Sequence, residues 1–160
     1  MRSMRRKDRE LSRDLALSVT DKCACSVVAT VNEDGTPYCV PLSLARKGEW
    51  LYFHTAKEGH KIDNLRRYNK VCVSCADGIK AIPGDFSIEY ESALINGTAS
   101  EVTDEEEKIS ALRLISLRFT PDNMAAFDKE VKQSLDKTGV WKIHIDEISG
   151  KAKKLNKPAL

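Results

Sequence analysis

From Cys23 to Thr55 apolar and polar side chains alternate with a period of two, broken by two turns that each contain a glycine. Only an extended strand sends successive side chains to opposite faces, so this stretch is confined to β-structure. Cys23, Cys25, Val27, Ala29 and Val31 form the first alternating set. Asn32-Glu33-Asp34-Gly35 then reads as a hairpin turn, because Gly35 after Asp34 takes up positive φ at little cost. Tyr38, Val40, Leu42 and Leu44 alternate as the returning strand. Arg46-Lys47-Gly48-Glu49 turns the chain again, and Trp50 to Thr55 is expected as the third strand of a meander.

Around this core the period changes. Leu11, Leu15 and Val19, spaced four apart, predict an amphipathic helix over 4–19. Gly59 precedes a short helix from His60 to Arg67, with Ile62 and Leu65 as its inner face. Val71 to Ala76 reads as a strand, 77–84 as a loop around Gly78, Pro83 and Gly84, and Phe86 to Val102 as strand with a turn or bulge at Asn96-Gly97. Thr103 and Glu106 form a capping box for a helix that turns Ile109, Leu112 and Ile115 inward. Thr120 and Pro121 cap another helix, with Met124, Phe127, Val131 and Leu135 on one line and Gly139 as its stop. Val140 to Ile145 is the last strand, ending near Gly150. About six meandering strands with inserted and flanking helices predict a mainly-β α+β domain built on a small antiparallel barrel.

A chain of 160 residues fits one domain over 1–160. Its net charge of +2 is too small to call for nucleic acid. The basic clusters Arg2, Arg5, Arg6, Lys7 and Lys151, Lys153, Lys154, Lys157 read as solvated ends, about 1–8 and 152–160. No apolar run reaches membrane-spanning length, and the charged start lacks the apolar core of a secretory signal, so a cytoplasmic protein is expected. In that compartment Cys23, Cys25, Cys39, Cys72 and Cys75 read as core thiols. Cys72 and Cys75 make a CxxC, but three apart on a strand they face opposite ways, so no metal site is expected.

The sharpest chemical cluster is Tyr52-Phe53-His54-Thr55-Ala56-Lys57-Glu58-Gly59-His60-Lys61. A strand runs into a short loop and a helix start, where unpaired backbone N–H groups and a partial positive charge attract anions. Gly59 lets a phosphate approach the backbone, His60 adds a donor and Lys61 a full charge. Pattern alone equally admits an ordinary strand-to-helix corner with surface basic residues. No Ser-His-Asp set, Walker loop, GxGxxG or HExxH stands out, so hydrolysis and nucleoside-triphosphate chemistry have no support.

Gly35-Thr36-Pro37-Tyr38-Cys39-Val40-Pro41-Leu42, then Leu51-Tyr52-Phe53-His54-Thr55-Ala56, Gly59-His60-Lys61 and Asn64-Leu65 resemble the FMN-binding split-barrel family, whose best-known members are the pyridoxamine-phosphate oxidases. Glu89-Tyr90-Glu91-Ser92 before Asn96-Gly97, the charged helix start from Asp104 to Lys108, and Ile148-Ser149-Gly150-Lys151 resemble its nitroimidazole-resistance branch. The resemblance implies a homodimer with FMN at the interface. It implies backbone groups of Val40, Pro41, Leu42 and Ser43 near the polar edge of the flavin ring. It places Phe53, His54 and Thr55 over the ring and ribityl chain, and Gly59, His60 and Lys61 at the phosphate. His54, at the mouth of that site, is the candidate catalytic residue, able to bond a substrate or relay a proton; the alternative is that it only packs. Trp141 is either core or a cap on the partner's flavin.

Two departures shape the expected function. His60-Lys61 replaces the Arg-Lys pair of the pyridoxamine-phosphate oxidases, and their C-terminal Trp and Arg substrate motif is absent, which puts vitamin B6 oxidation in doubt. The implied activity is FMN-dependent electron transfer to a small acceptor such as a nitroaromatic or quinone, without nucleic-acid or membrane partners. The alternative is a non-catalytic flavin- or haem-binding protein.

Overall fold

The computed structural model describes residues 3–153; Arg2, Lys154 and Lys157 of the terminal basic clusters lie outside them. The described strands are β1 (Glu10–Leu11), β2 (Ser26–Val31), β3 (Pro37–Leu42), β4 (Ala45–Lys47), β5 (Trp50–Ala56), β6 (Lys70–Ala81), β7 (Ile88–Glu101) and β8 (Thr138–Lys153). They form one antiparallel sheet in the order β3-β2-β6-β7-β8-β5-β4, with β1 added on β8. The helices are α1 (Arg13–Lys22), α2 (His60–Arg67), α3 (Glu105–Phe119) and α4 (Phe127–Ser134). None is long and apolar enough to cross a membrane.

β3 and β4 lie at opposite ends of the strand order, yet only Ser43 and Leu44 separate them in sequence. Three Cα steps reach at most about 11 Å. The sheet therefore has to curl until its two edges almost meet. Among the described residues β3 pairs only with β2 and β4 only with β5, so the edges face each other without bonding. That gap is the split of a split barrel, and the mainly-β α+β expectation holds.

Inside the barrel Val28, Leu44, Leu51, Phe53, Ile95 and Ile143 pack with one another, and α1 and α2 add Ala16, Val19, Ile62 and Leu65. A second, smaller cluster lies on the other face of β5, where Tyr52 and Val140 meet Ala111 and Ile115 of α3.

Several local expectations need correction. Trp50–Ala56 is not the third strand of a meander: it pairs with β4 and β8, while β2 lies between β3 and β6. The inward residues of β2 are Ser26, Val28 and Thr30, and the alternating set Val27, Ala29, Val31 faces out. Cys23 instead caps the end of α1. α1 begins at Arg13 rather than residue 4, because Ser12 Oγ accepts from Leu15 N at 3.3 Å; before it lie a 3-10 turn and β1. Asp104, not Thr103, caps α3 by accepting from Glu107 N at 2.8 Å. β6 runs on through most of the expected loop after a register break between Asp77 and Lys80, and the turn falls at 82–87. Pro121 opens a 3-10 turn before α4, and Gly139 lies inside β8 rather than ending a helix. β1 and β4, two and three residues long, are too short to show a period, which is why about six strands were expected.

The Asn96-Gly97 irregularity is a bulge: the register against β8 shifts between these two residues. A Cβ on Gly97 would meet His144 O and Ile143 Cγ2, each at 2.5 Å. Neither can withdraw, since one is sheet backbone and the other a fully buried side chain. Gly97→Val should therefore destabilise the fold by about 1–3 kcal/mol through overpacking. A lower urea midpoint with unchanged slope would show it, and an unmoved midpoint would mean that the bulge relaxes freely.

Candidate functional site

The alternation of β5 sends Leu51, Phe53 and Thr55 towards the barrel interior and Tyr52 and His54 to the opposite face. Phe53 is 1% exposed, its ring sealed in the core, so it offers a ligand only its backbone. His54 is exposed. Thr55 Oγ1 is buried and has no hydrogen-bond partner among the described residues, the one side-chain N or O atom of which this is true. Leaving such a group unpaired costs about 1–3 kcal/mol, so the strand end is built for a partner that the chain itself does not provide.

Beyond Ala56 the chain crosses Lys57 and Glu58 and reaches Gly59 at φ 129°, a conformation that favours glycine. Apart from Gly59 and its two chain neighbours, no described residue has an atom within 4 Å of the position its Cβ would take, so the corner is open. Gly59 O accepts from Ile62 N at 2.8 Å and Asp63 N at 3.1 Å, starting α2. The N–H groups of His60 and Lys61, in the first turn, have no acceptor within the helix. The Lys61 side chain is half-buried and makes no hydrogen bond or ion pair among the described residues.

A polar network orients this helix start. Asn64 is 2% exposed and donates through Nδ2 to Thr30 Oγ1 at 3.1 Å and Asn32 Oδ1 at 2.8 Å. Its own Oδ1 accepts from Arg67 at 3.0 Å. Asn32 Oδ1 also accepts from His60 Nε2 at 2.8 Å, and the His60 ring lies on Tyr38 with centroids 4.1 Å apart. The His60 imidazole is thus committed to the hairpin, whereas among the described residues the ammonium groups of Lys61, in the first turn of α2, and Lys57, in the loop before Gly59, make no hydrogen bond or ion pair. Asn32, Tyr38 and Asn64 were not singled out as site residues. The available signal was Asn64 itself, a polar residue set beside Leu65 on the inner side of a short helix.

On the other face of β5, His54 looks into a cleft of about 590 Å³ between the sheet, α3 and α4. Ser43, from the split between β3 and β4, lines the same cleft, together with Ile115, Phe119, Phe127 and Val131. α3 is anchored beside it by Tyr52, whose hydroxyl donates to Glu107 Oε1 at 3.0 Å, while Lys142 Nζ reaches both Glu107 oxygens at 2.7 and 2.8 Å. Burial, reinforced by the Glu107 carboxylate, pushes the Tyr52 phenol up to about 12, so it remains a donor throughout the physiological range.

The structure thus brings Ser43 and His54 into one cleft and strings Thr55, Gly59 and Lys61 along the same strand end. Val40 and Leu42 are half-buried and Pro41 exposed on β3, whose second edge is unpaired among the described residues. That is a position where a residue without an N–H does no harm to the ladder. Trp141 is 4% exposed and lies within the barrel core, so its indole does not reach the surface. Cys72 lies on the outer side of β6 and Cys75 is buried on the inner side.

No curated protein sequence matches the chain. Among solved structures, a candidate 5-nitroimidazole antibiotic resistance protein from Bacteroides thetaiotaomicron superposes with a TM-score of 0.77 at 29% identity, covering 91% of this chain and 90% of that one. The conserved protein Rv2991 from Mycobacterium tuberculosis gives a TM-score of 0.78 at 20% identity, over 99% and 96% of the two chains. An FAD and haem binding protein from Mycobacterium smegmatis gives 0.76 at 23%, over 94% and 77%. The last two show a shared fold alone. The sequence model of the pyridoxamine 5'-phosphate oxidase family matches residues 12–152, from the cap of α1 to the end of β8, and the chain therefore belongs to that family.

Proposed function

We propose that the chain binds FMN at the β5–α2 corner and works as an FMN-dependent oxidoreductase, passing electrons to a small acceptor such as a nitroaromatic or a quinone. The observation that carries this reading is the buried, unpartnered Thr55 hydroxyl, set on one strand end between His54 and the open anion corner at Gly59. A ligand with a hydroxylated chain and a terminal phosphate matches the Thr55 hydroxyl and the Gly59 corner in that order, while His54 points to the opposite face of the strand. The FAD and haem binding protein among the structural neighbours supports a flavin, and the candidate nitroimidazole-resistance protein supports a nitroaromatic acceptor.

When bound, the flavin supplies the electron transfer, and the protein supplies binding and electrostatics. Lys61 and the first N–H groups of α2 hold the phosphate, with Gly59 keeping the approach clear. Thr55 Oγ1 exchanges a hydrogen bond with a hydroxyl of the ribityl chain. His54, on the cleft side, holds or moves a proton at its imidazole next to the acceptor.

A homodimer belongs to the same proposal. Cross-strand register places Pro41, Val27, Ser74 and Leu94 in one row across β3, β2, β6 and β7, and Cys39, Ala29, Cys72 and Asn96 in the next. On these four strands neither row holds a charged residue, the second meeting Glu147 only on β8, and Val27 and Leu94 are 42% and 41% exposed. A wide uncharged sheet face of this kind is what a protein interface requires. A second copy of the chain would cover it and lie beside the free edge of β3.

Titration of the purified protein with FMN, FAD and riboflavin tests the reading. FMN should bind most tightly, because the corner recognises a terminal phosphate. Equal affinity for FMN and riboflavin would remove the phosphate assignment, and tighter binding of FAD would change the cofactor.

A further inference from the structure

We propose that the end of the barrel where β1 joins β8, with the β6–β7 hairpin beside it, docks on an anionic lipid surface. This face is separate from the flavin corner. On β8 the corner lies beside Thr138, opposite Ala56, and the docking face lies beside Lys153, opposite Tyr90, at the other end of the strand. Basic clusters from the two ends of the chain meet there, because Glu10 pairs with Lys151 and Leu11 with Gly150. As separate chain ends they call for no membrane partner; joined, they form one cationic patch. Asp8, Glu10 and Glu91 are taken up by Arg6, Lys7 and Lys22. Arg5, Arg9, Lys151 and Lys153 then carry the surplus, while the rest of the chain holds more acid than base. Lys153 Nζ donates to Ser87 Oγ at the root of the hairpin, and Lys151 Nζ lies 5.9 Å from the centre of the Tyr90 ring. Burial would raise the Tyr90 phenol, but hydrogen bonds from Lys151 and Arg9 bring it below its ordinary range, so both cations gather on one side chain.

Exposed apolar side chains gather at the same place. Leu15 stands in the depression lined by Arg6, Arg9, Lys22 and Lys153. Among the described residues the hairpin beyond Tyr90 and Lys153 is a two-stranded overhang. Its Phe86 is fully exposed in the turn at 82–87, with Ile79 and Ile88 63% and 47% exposed on the strands that flank it. Asp85 is the one acid of that turn. Apolar side chains on a projecting tip, with cations at its root, match a bilayer boundary: the tip enters the headgroup layer and the cations meet lipid phosphates. A nucleic acid would use the cations and leave Phe86, Ile79 and Ile88 in water. A two-fold contact centred on this patch would set its cations against their own copies.

Co-sedimentation of the full chain with vesicles tests this, using phosphatidylcholine alone and phosphatidylcholine mixed equally with phosphatidylglycerol. The protein should pellet with the mixed vesicles and not with the neutral ones, and less at high salt. Phe86→Asp should weaken binding at least about tenfold by withdrawing a buried ring. Ile79→Asp is the second variant if the first fails to fold. Arg5→Gln combined with Lys153→Gln should weaken it roughly twentyfold, since each basic side chain near such a surface contributes about fivefold. Tyr68→Asp makes the same change on an exposed ring at the far end of β7, where Asn69 O accepts from Ala99 N, and should bind like wild type. Equal pelleting with both vesicles, pelleting with neither, or a Tyr68→Asp loss as large as that of Phe86→Asp overturns the proposal. Binding of duplex DNA in preference to the mixed vesicles, unaffected by Phe86→Asp, assigns the patch to nucleic acid instead. A dimer that dissociates on Phe86→Asp in sedimentation velocity assigns the tip to a second copy and equally overturns the proposal.

Discussion

Lys61→Ala should lower FMN affinity by roughly ten- to a hundredfold and leave riboflavin affinity nearly unchanged, because a hydrogen bond to a charged group contributes about 1.5–3 kcal/mol and each ~1.4 kcal/mol is a factor of ten. The structure sharpens the case for this residue. The neighbouring His60 imidazole is held by Asn32 and stacked on Tyr38, so it cannot swing in to replace a missing cation without breaking the network that orients α2. Lys61 has no partner to lose among the described residues, and its removal should not destabilise the protein. Part of the difference should vanish at high salt, since Lys61 is only half-buried and its field is screened. Lys57 is the control: it is exposed in the loop before Gly59, where its carbonyl accepts from Arg66 at 3.3 Å, and Lys57→Ala should have a smaller effect. Fluorescence titration of the three proteins separates these outcomes. A collapse of affinity in the Lys57 variant with a near-normal Lys61 variant would move the phosphate into the loop.

Leu94→Glu should convert a dimer into a folded monomer that has lost most of its FMN affinity. Leu94 stands in the uncharged outer row between Ser74 and Ser149, where a carboxylate has no cation beside it across either ladder. In the monomer the position is 41% exposed, so a charge there is solvated and the barrel core is untouched. In the dimer the same charge would be buried unpaired in both copies. Breaking the pairing of a buried charge costs about 3–5 kcal/mol, enough to weaken association by more than about a hundredfold. Leu117→Glu, 53% exposed on α3 and away from this face, should leave the assembly intact. Sedimentation velocity on both variants, with flavin content read from absorbance, gives the answer. A Leu94→Glu protein that still sediments as a dimer would place the interface on another surface.

Much of the corner was legible before any coordinates. Gly59 before a helix start, with basic residues behind it, is a short-range pattern. α2 runs over His60–Arg67 as its residues predict, because a helix eight residues long is specified by neighbours three and four apart. The turn at Asn32-Glu33-Asp34-Gly35 forms with Gly35 at φ 83°, again a local matter of which residue tolerates that conformation. What the pattern could not supply was the network behind the corner. His60 meets Asn32 across 28 positions and Asn64 meets Thr30 across 34, contacts that exist only once the hairpin has folded against α2.

The sequence by itself determined where the chain extends, turns and coils, since each of these depends on residues a few positions apart. It also carried the motif order by which the family is known. Tertiary structure alone decided which strands pair and which way they face. β2 has apolar residues on both sides, so its period of two marks a strand but not its inner face, and Val27, Ala29 and Val31 proved to lie outside. β5 left the meander for β8, some 90 residues on: β3 and β4 do not pair across their two-residue link but lie at opposite ends of the strand order, and that short link then requires the sheet to curl. That curl puts Ser43 beside His54 and carries α3 and α4 over them, creating a cleft that no stretch of sequence contains.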